Sequence, residues 1–275
     1  MSLPPLILIH GYPLDHTMWK PVVSILGEKT KVIVPDLPGF GDNPVALAEP
    51  SIDAMAEDVA KLFEFHNIRR AVVAGMSLGG YVALAFAQLH PERLSGLGLV
   101  STQAGADSNE TKEARRNLIA KVRREGVQPA VEALQPKLFS SGKESNPTFS
   151  RYLTDGASKA GVEGICWALE AMARRPDRTS LLKTLSVPVL ILHGTDDKII
   201  PAERARQLAQ TVPQENFVEL PGIGHASPLE SPQAVADALL ALLERAEKSI
   251  HHTPKRDEHA ESLPGITWAP SERGL

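Results

Sequence analysis

The segment Gly75-Met76-Ser77-Leu78-Gly79-Gly80 follows directly on the apolar run Val72-Val73-Ala74 and leads directly into a helical pattern. A serine held at such a strand-to-helix turn projects its hydroxyl clear of the backbone. The turn is strained, and it tolerates only very small residues two before and two after the serine, which Gly75 and Gly79 supply. The helix that begins beyond Ser77 offers a free backbone N–H at Leu78 and the positive end of its dipole, where an oxyanion would be stabilised. The arrangement suits nucleophilic attack on a carbonyl carbon, and it requires a base, because a serine hydroxyl attacks well only when its proton is taken.

Two loops could supply that base and an acid to orient it. The apolar run Val189 to Leu192 ends in His193-Gly194-Thr195-Asp196-Asp197-Lys198-Ile199-Ile200-Pro201, which carries two adjacent aspartates. The run Phe217 to Leu220 ends in Pro221-Gly222-Ile223-Gly224-His225-Ala226-Ser227-Pro228, a glycine-rich loop with one histidine. Both would lie at the carboxyl edge of a parallel sheet, where open α/β sheets bind their ligands. His225 is the expected base, with either Asp196 or Asp197 behind it, in the chain order serine, acid, histidine.

The elements that must position these residues can be read from periodicity. Leu6–Ile9, Val32–Val34, Ala71–Ala74, Leu94–Val100, Val187–Leu192 and Phe217–Leu220 are apolar without alternation, the pattern of strands buried on both faces. Helices are predicted from Ile52, behind a Ser51 cap; from just after Ser77 to Pro91; and from Pro232 to about Glu247, behind Ser231. Alternating strands and helices predict a mostly parallel, doubly wound α/β sheet of about six strands. Between Thr102 and Ser186 the strand signal is absent, and helical stretches are expected near 110–125, 127–138 and 161–174, with a loop at 140–147. The predicted organisation is a core of residues 1–102 and 187–247, an inserted helical cap at 103–186, and a polar tail at 248–275.

Composition narrows the partners. Lys and Arg number 29 against 33 Asp and Glu, the net charge is −4, and the signs are scattered, so no basic stripe exists to neutralise phosphates. Nucleic acid is not an expected partner. Cys166 is the only cysteine, so no internal disulfide or thiolate metal site can form, and a reducing, cytoplasmic setting suits the chain. No basic-then-apolar leader and no stretch of roughly 18 apolar residues is visible, so no membrane association is expected.

Together with His10-Gly11-Tyr12-Pro13 and Pro35-Asp36-Leu37-Pro38-Gly39-Phe40-Gly41, these motifs resemble the α/β-hydrolase fold family, and in particular its bacterial esterase and enol-lactonase-like branch with a helical cap. The resemblance runs from residue 6 to about 245 and implies a sheet shortened at its N-terminal end. It implies Ser77 as nucleophile, His225 as general base, and the backbone amides of Tyr12 and Leu78 as the oxyanion hole. For the acid it selects Asp197 over Asp196, which is left to hydrogen-bond the loop. It implies no cofactor and no metal.

The expected activity is cleavage of a small to medium carboxylic ester or lactone through an acyl-enzyme, with water as second substrate and the oligomeric state left open. The alternatives are carbon-carbon bond hydrolysis or cofactor-free perhydrolysis on the same residues, a ligand-binding receptor with slow turnover, or a structural partner that has lost activity. Serine rather than aspartate at position 77 argues against relatives that form an alkyl-enzyme.

Further residues receive weaker assignments. Tyr12, Met76 and Trp167 are candidates for contact with substrate, Cys166 for either the acyl pocket or the cap core, and Arg174-Arg175 for a substrate carboxylate or a helix C-terminus. His10 is expected to pack the oxyanion loop, Asp36 and Asp42 to form a turn, and His16, His66, His90 and His193 to serve packing or surface roles.

Overall fold

A computed structural model describes residues 3–45, 49–212 and 215–252 of the chain. Six strands form one parallel sheet in the order β2-β1-β3-β4-β5-β6: β1 (Leu6–Ile9), β2 (Val32–Ile33), β3 (Ala71–Met76), β4 (Leu94–Val100), β5 (Val189–Gly194) and β6 (Glu215–Leu220). Every residue of β1, β3, β4 and β5 is buried, which is why these stretches read as unbroken apolar runs rather than alternating ones. The predicted sheet is therefore found, with ends displaced by a few residues at β2, β3, β5 and β6.

From β1 the chain crosses outward to β2, returns past β1 to β3, and then advances steadily to β6. The direction reverses between β1 and β3, which pair in register from Leu6 with Val72 to Ile9 with Gly75. A reversal of this kind leaves a crevice at the carboxyl ends of the two strands. The sequences that leave those two ends are His10-Gly11-Tyr12 and Ser77-Leu78.

The helices lie in the crossovers between the parallel strands. The outward connection carries α1 (Lys20–Leu26), which packs with α9 (Pro232–His252); the return and advancing connections carry α2 (Ile52–Phe65) and α3 (Leu78–Leu89), which pack with each other. Gly98 in β4 is fixed by its neighbour strand, since a Cβ there would overlap Ala74 Cβ of β3 at 2.5 Å, and β4 packs on α9 on its other side. Helix α9 ends at His252, five residues beyond the expected Glu247, so residues 248–252 continue the helix. The remainder of the predicted tail, 253–275, lies outside the described residues.

Between β4 and β5 stand α4 (Asn109–Glu125), α5 (Gln128–Leu138) and α6 (Pro147–Arg174), which pack on one another. Helix α6 begins 14 residues earlier than the periodicity predicted and bends at Gly161, whose φ is +62°. Its first half buries Leu153, Gly156, Ala157 and Ala160, a face of mostly small residues that carries little apolar signal. The small residues have a reason: a Cβ on Gly156 would overlap the Pro13 carbonyl, and one on Gly164 the Gly39 carbonyl. Helix α6 thus lies directly on the two loops that leave β1 and β2. Helices α1, α7 (Ala202–Ala209) and α8 (Ser227–Glu230) are only seven, eight and four residues long, too short for a helical period to stand out in sequence. Among the described residues no helix is long and apolar enough to cross a membrane.

Candidate active site

Ser77 sits between β3 and α3 with φ +53° and ψ −112°, a conformation that side chains rarely adopt. The strain is held from several sides. The Ser77 amide donates to Val100 O at 2.9 Å, and the Ser77 carbonyl accepts from Gly80 N at 2.9 Å and from Thr102 Oγ1 at 2.8 Å. A Cβ on Gly75 would overlap the Gly79 carbonyl, and one on Gly79 would overlap the Ile9 carbonyl of β1. Both glycines are therefore fixed by close backbone approach.

The loop leaving β1 lies against the serine: a Cβ built on Gly11 would stand 3.5 Å from Ser77 Cβ. His10, fully buried, fastens this loop. Its Nδ1 donates to Gly11 O at 3.0 Å and its Nε2 accepts from Leu37 N at 2.9 Å, and burial pushes its pKa down, in keeping with a neutral ring. Asp36 closes the neighbouring turn, accepting from the His16 amide at 2.8 Å and the Asp42 amide at 3.1 Å.

On the other side of the crevice, His225 Nδ1 donates to Asp197 Oδ2 at 2.7 Å, with His225 only 2% exposed. Asp197 Oδ1 accepts from the amides of Ile199 (2.8 Å) and Ile200 (2.9 Å). Burial alone would raise the Asp197 pKa, but the His225 and His193 imidazoles and the Ile200 amide outweigh it and hold the carboxyl below its ordinary range. Asp196, one residue earlier, points elsewhere and accepts from the Ser141 amide at 2.6 Å. Gly194 permits the two loops to meet, since its Cβ would overlap the Ile223 carbonyl.

Ser77, His225 and Tyr12 line one cavity of about 480 Å³, a size ordinary for a small-molecule site. Its remaining walls are mainly apolar and come from the inserted helices and two further elements: Leu118 of α4, Leu134 of α5, Leu169 and Met172 of α6, Tyr81 of α3, and Ile199. Arg115 and Lys121 add two cations. Among the described residues no group of three or more His, Cys, Asp or Glu side chains is arranged to hold a metal ion.

Of the substrate-contact candidates, Tyr12 lines this cavity and the other five lie away from it. Met76 is buried in β3, where its Sδ blocks the space beside Gly11. Trp167 lines a separate groove with Glu163, Glu170 and Arg174; at steps of three and four these share one face of α6, opposed to the face of Leu169 and Met172. Arg174 pairs with Glu170 at 2.8 Å and Glu49 at 2.9 Å. Arg175 is buried on Asp107 at 2.7 Å, over the Tyr81 ring. Cys166 packs between α6 and α4, its Sγ 3.9 Å from Ile119 O.

The sequence reading missed Glu230. Its side chain is buried in α8, five residues after His225, and accepts from the amides of Ser140 (3.1 Å) and Gly224 (3.0 Å) and from Lys143 Nζ (3.3 Å). It staples the loop after α5 to the loop that carries His225. Glu230→Ala would leave two buried amides unpaired and is expected to cost about 3 kcal/mol. A melting temperature lowered by roughly 5–10 °C would register this, and an unchanged one would contradict it.

The sequence profile of the alpha/beta hydrolase fold family matches residues 4–232, and the chain belongs to that family. It is 30% identical over 249 residues, 88% of its length, to the dihydrolipoyllysine-residue acetyltransferase component of the acetoin cleaving system of Pseudomonas putida, and spans 64% of that protein. Its structure is similar to that of a malate-bound thermophilic esterase from Thermogutta terrifontis, with a TM-score of 0.84 and 40% identity over 88% of this chain and 90% of that one. An enol-lactonase from Burkholderia xenovorans LB400 aligns with a TM-score of 0.80 and 28% identity over 89% and 92%.

Proposed function

We propose that the chain is a serine hydrolase that cleaves a small to medium carboxylic ester or lactone through an acyl-enzyme on Ser77, His225 and Asp197. The observation that carries this reading is the 2.7 Å hydrogen bond from His225 Nδ1 to Asp197, made in the wall of a cavity that Ser77 also lines. With Nδ1 so engaged, Nε2 is left to act on the serine. It takes the Ser77 proton as Oγ bonds to the carbonyl carbon, and the carbonyl electron pair moves onto oxygen. The Tyr12 and Leu78 amides receive that oxyanion; Leu78 is the first residue of α3, where backbone N–H groups have no partner within the helix. Collapse expels the alcohol, which takes the proton from His225, and water repeats the cycle to release the acid. The inserted helices, which supply much of the apolar wall, set the acyl preference.

The oxyanion assignment rests on main-chain groups, and the Tyr12 phenol is buried without a protein partner, its pKa driven up by burial. Tyr12→Phe is therefore expected to keep kcat within about threefold of wild type, whereas loss of an oxyanion donor costs about 10² to 10³. A drop of that larger size would make the phenol a catalytic group. The reading as a whole is tested by steady-state hydrolysis of p-nitrophenyl esters from acetate to decanoate, with Ser77→Ala and Asp197→Ala beside wild type. Turnover by wild type with collapse of both variants is expected, and inertness on every ester and on simple lactones would contradict it.

A further inference from the structure

His193 is the penultimate residue of β5, buried to 1% exposure, and the mechanism above does not use it. Its Nε2 lies 2.8 Å from Ile200 O and 3.2 Å from Asp197 Oδ2, the same oxygen that accepts from His225. We infer that His193 is a positioning residue for the acid and base: its Nε2–H, donated to Ile200 O, fixes the far end of the Asp197–Ile200 turn, and its ring edge packs against the carboxylate oxygen that faces His225. The inference rests on the triad reading.

The protonation state follows from the partners. A carbonyl oxygen can only accept, so Nε2 must carry a hydrogen, and Nδ1 is buried with no partner. A second proton, on Nδ1, would strand a buried donor. Burial pushes the ring's pKa down, and the neighbouring His225 acts in the same sense; Asp197, the Ile200 carbonyl and Glu219 oppose them less strongly, Glu219 being paired with Arg206 at 2.8 Å. The ring is thus a neutral donor.

Neutrality matters to the chemistry. Two amides hold Asp197 Oδ1, His225 holds Oδ2, and the His193 ring edge lies 3.2 Å from that same oxygen. A lysine or arginine at this place would cancel the negative charge that must stabilise the His225 imidazolium. A neutral ring orients the carboxylate and leaves its charge intact. The polar ring edge beside Oδ2 also stabilises the carboxylate charge, so that Asp197 grips the proton shared with His225 less tightly.

The test compares His193→Phe, which keeps a ring but no donor, with His193→Gln, whose amide can place an N–H near the position of Nε2. Ser77→Ala is measured alongside, all on p-nitrophenyl butyrate across pH 5–9 with melting curves. His193→Phe is expected to lower kcat about tenfold through misplacement of the base, with KM within about twofold and the acid limb of kcat/KM moved to higher pH. His193→Gln should recover most of both changes. A His193→Phe enzyme with wild-type kcat and acid limb would overturn the inference. So would equal losses in the Phe and Gln variants with an unmoved acid limb, which would assign His193 to packing alone. Full activity in Ser77→Ala would instead overturn the triad reading beneath it.

Discussion

Ser77→Ala is expected to lower kcat on a p-nitrophenyl ester by about 10⁴-fold or more while leaving the melting temperature within about 2 °C of wild type. In the proposed mechanism the variant loses the bond-forming atom, and no other hydroxyl occupies the strained turn between β3 and α3. The insensitivity of stability follows from the way the turn is held, by the Ser77 backbone and the flanking glycines rather than by the hydroxyl. A large fall in melting temperature would mean that the side chain holds the turn. Residual activity above about 10% of wild type would mean that another group attacks.

Asp197→Asn and Asp196→Asn are expected to differ by about three orders of magnitude in kcat although the residues are adjacent. Asp197 Oδ2 receives the His225 Nδ1–H at 2.7 Å, and an asparagine there can present an N–H instead, turning His225 to the tautomer in which Nε2 carries the proton and cannot act as base. Such a change costs about 10³ to 10⁴ in kcat where it has this origin. Asp196 accepts from the Ser141 amide, which an asparagine oxygen can also accept, and does not meet His225, so its variant should stay within about threefold of wild type. Comparable losses in the two variants would contradict the assignment of the acid. The Asp197 carboxyl, held below its ordinary range, is ionised throughout neutral pH, so its own protonation should not limit activity there.

Much of this was legible in the sequence. The buried strands announce themselves because parallel strands covered on both faces carry no polar alternation, as in Leu6–Ile9 and Leu94–Val100. Ser77 was legible because its strained backbone demands small neighbours at fixed offsets, and that demand is written as Gly75 and Gly79. Asp197 could be separated from Asp196 only by resemblance, since spacing along the chain does not say which of two adjacent carboxylates turns inward. The pocket walls were less accessible. Trp167 and Leu169 lie two positions apart in one helix, and only the phase of α6 against α4 sends Leu169 to the cavity and Trp167 to the opposite groove. His193 carried a signal, a lone histidine closing an apolar strand, but nothing in the sequence shows that its ring meets the carboxylate four residues on. Glu230 was hidden for a related reason, because its partners at 140 and 143 come from a distant loop.

The central claim is a covalent acyl group on Ser77, and rapid quench with mass spectrometry reads it directly. Wild-type protein mixed with excess p-nitrophenyl butyrate and quenched in acid within milliseconds should gain the mass of one butyryl group. Peptide mapping should place that group on the fragment containing Ser77, and the Ser77→Ala protein should gain none. Steady turnover with no adduct under conditions that trap one in a known serine esterase, or an acyl group found on Cys166 or elsewhere in place of Ser77, would contradict the account.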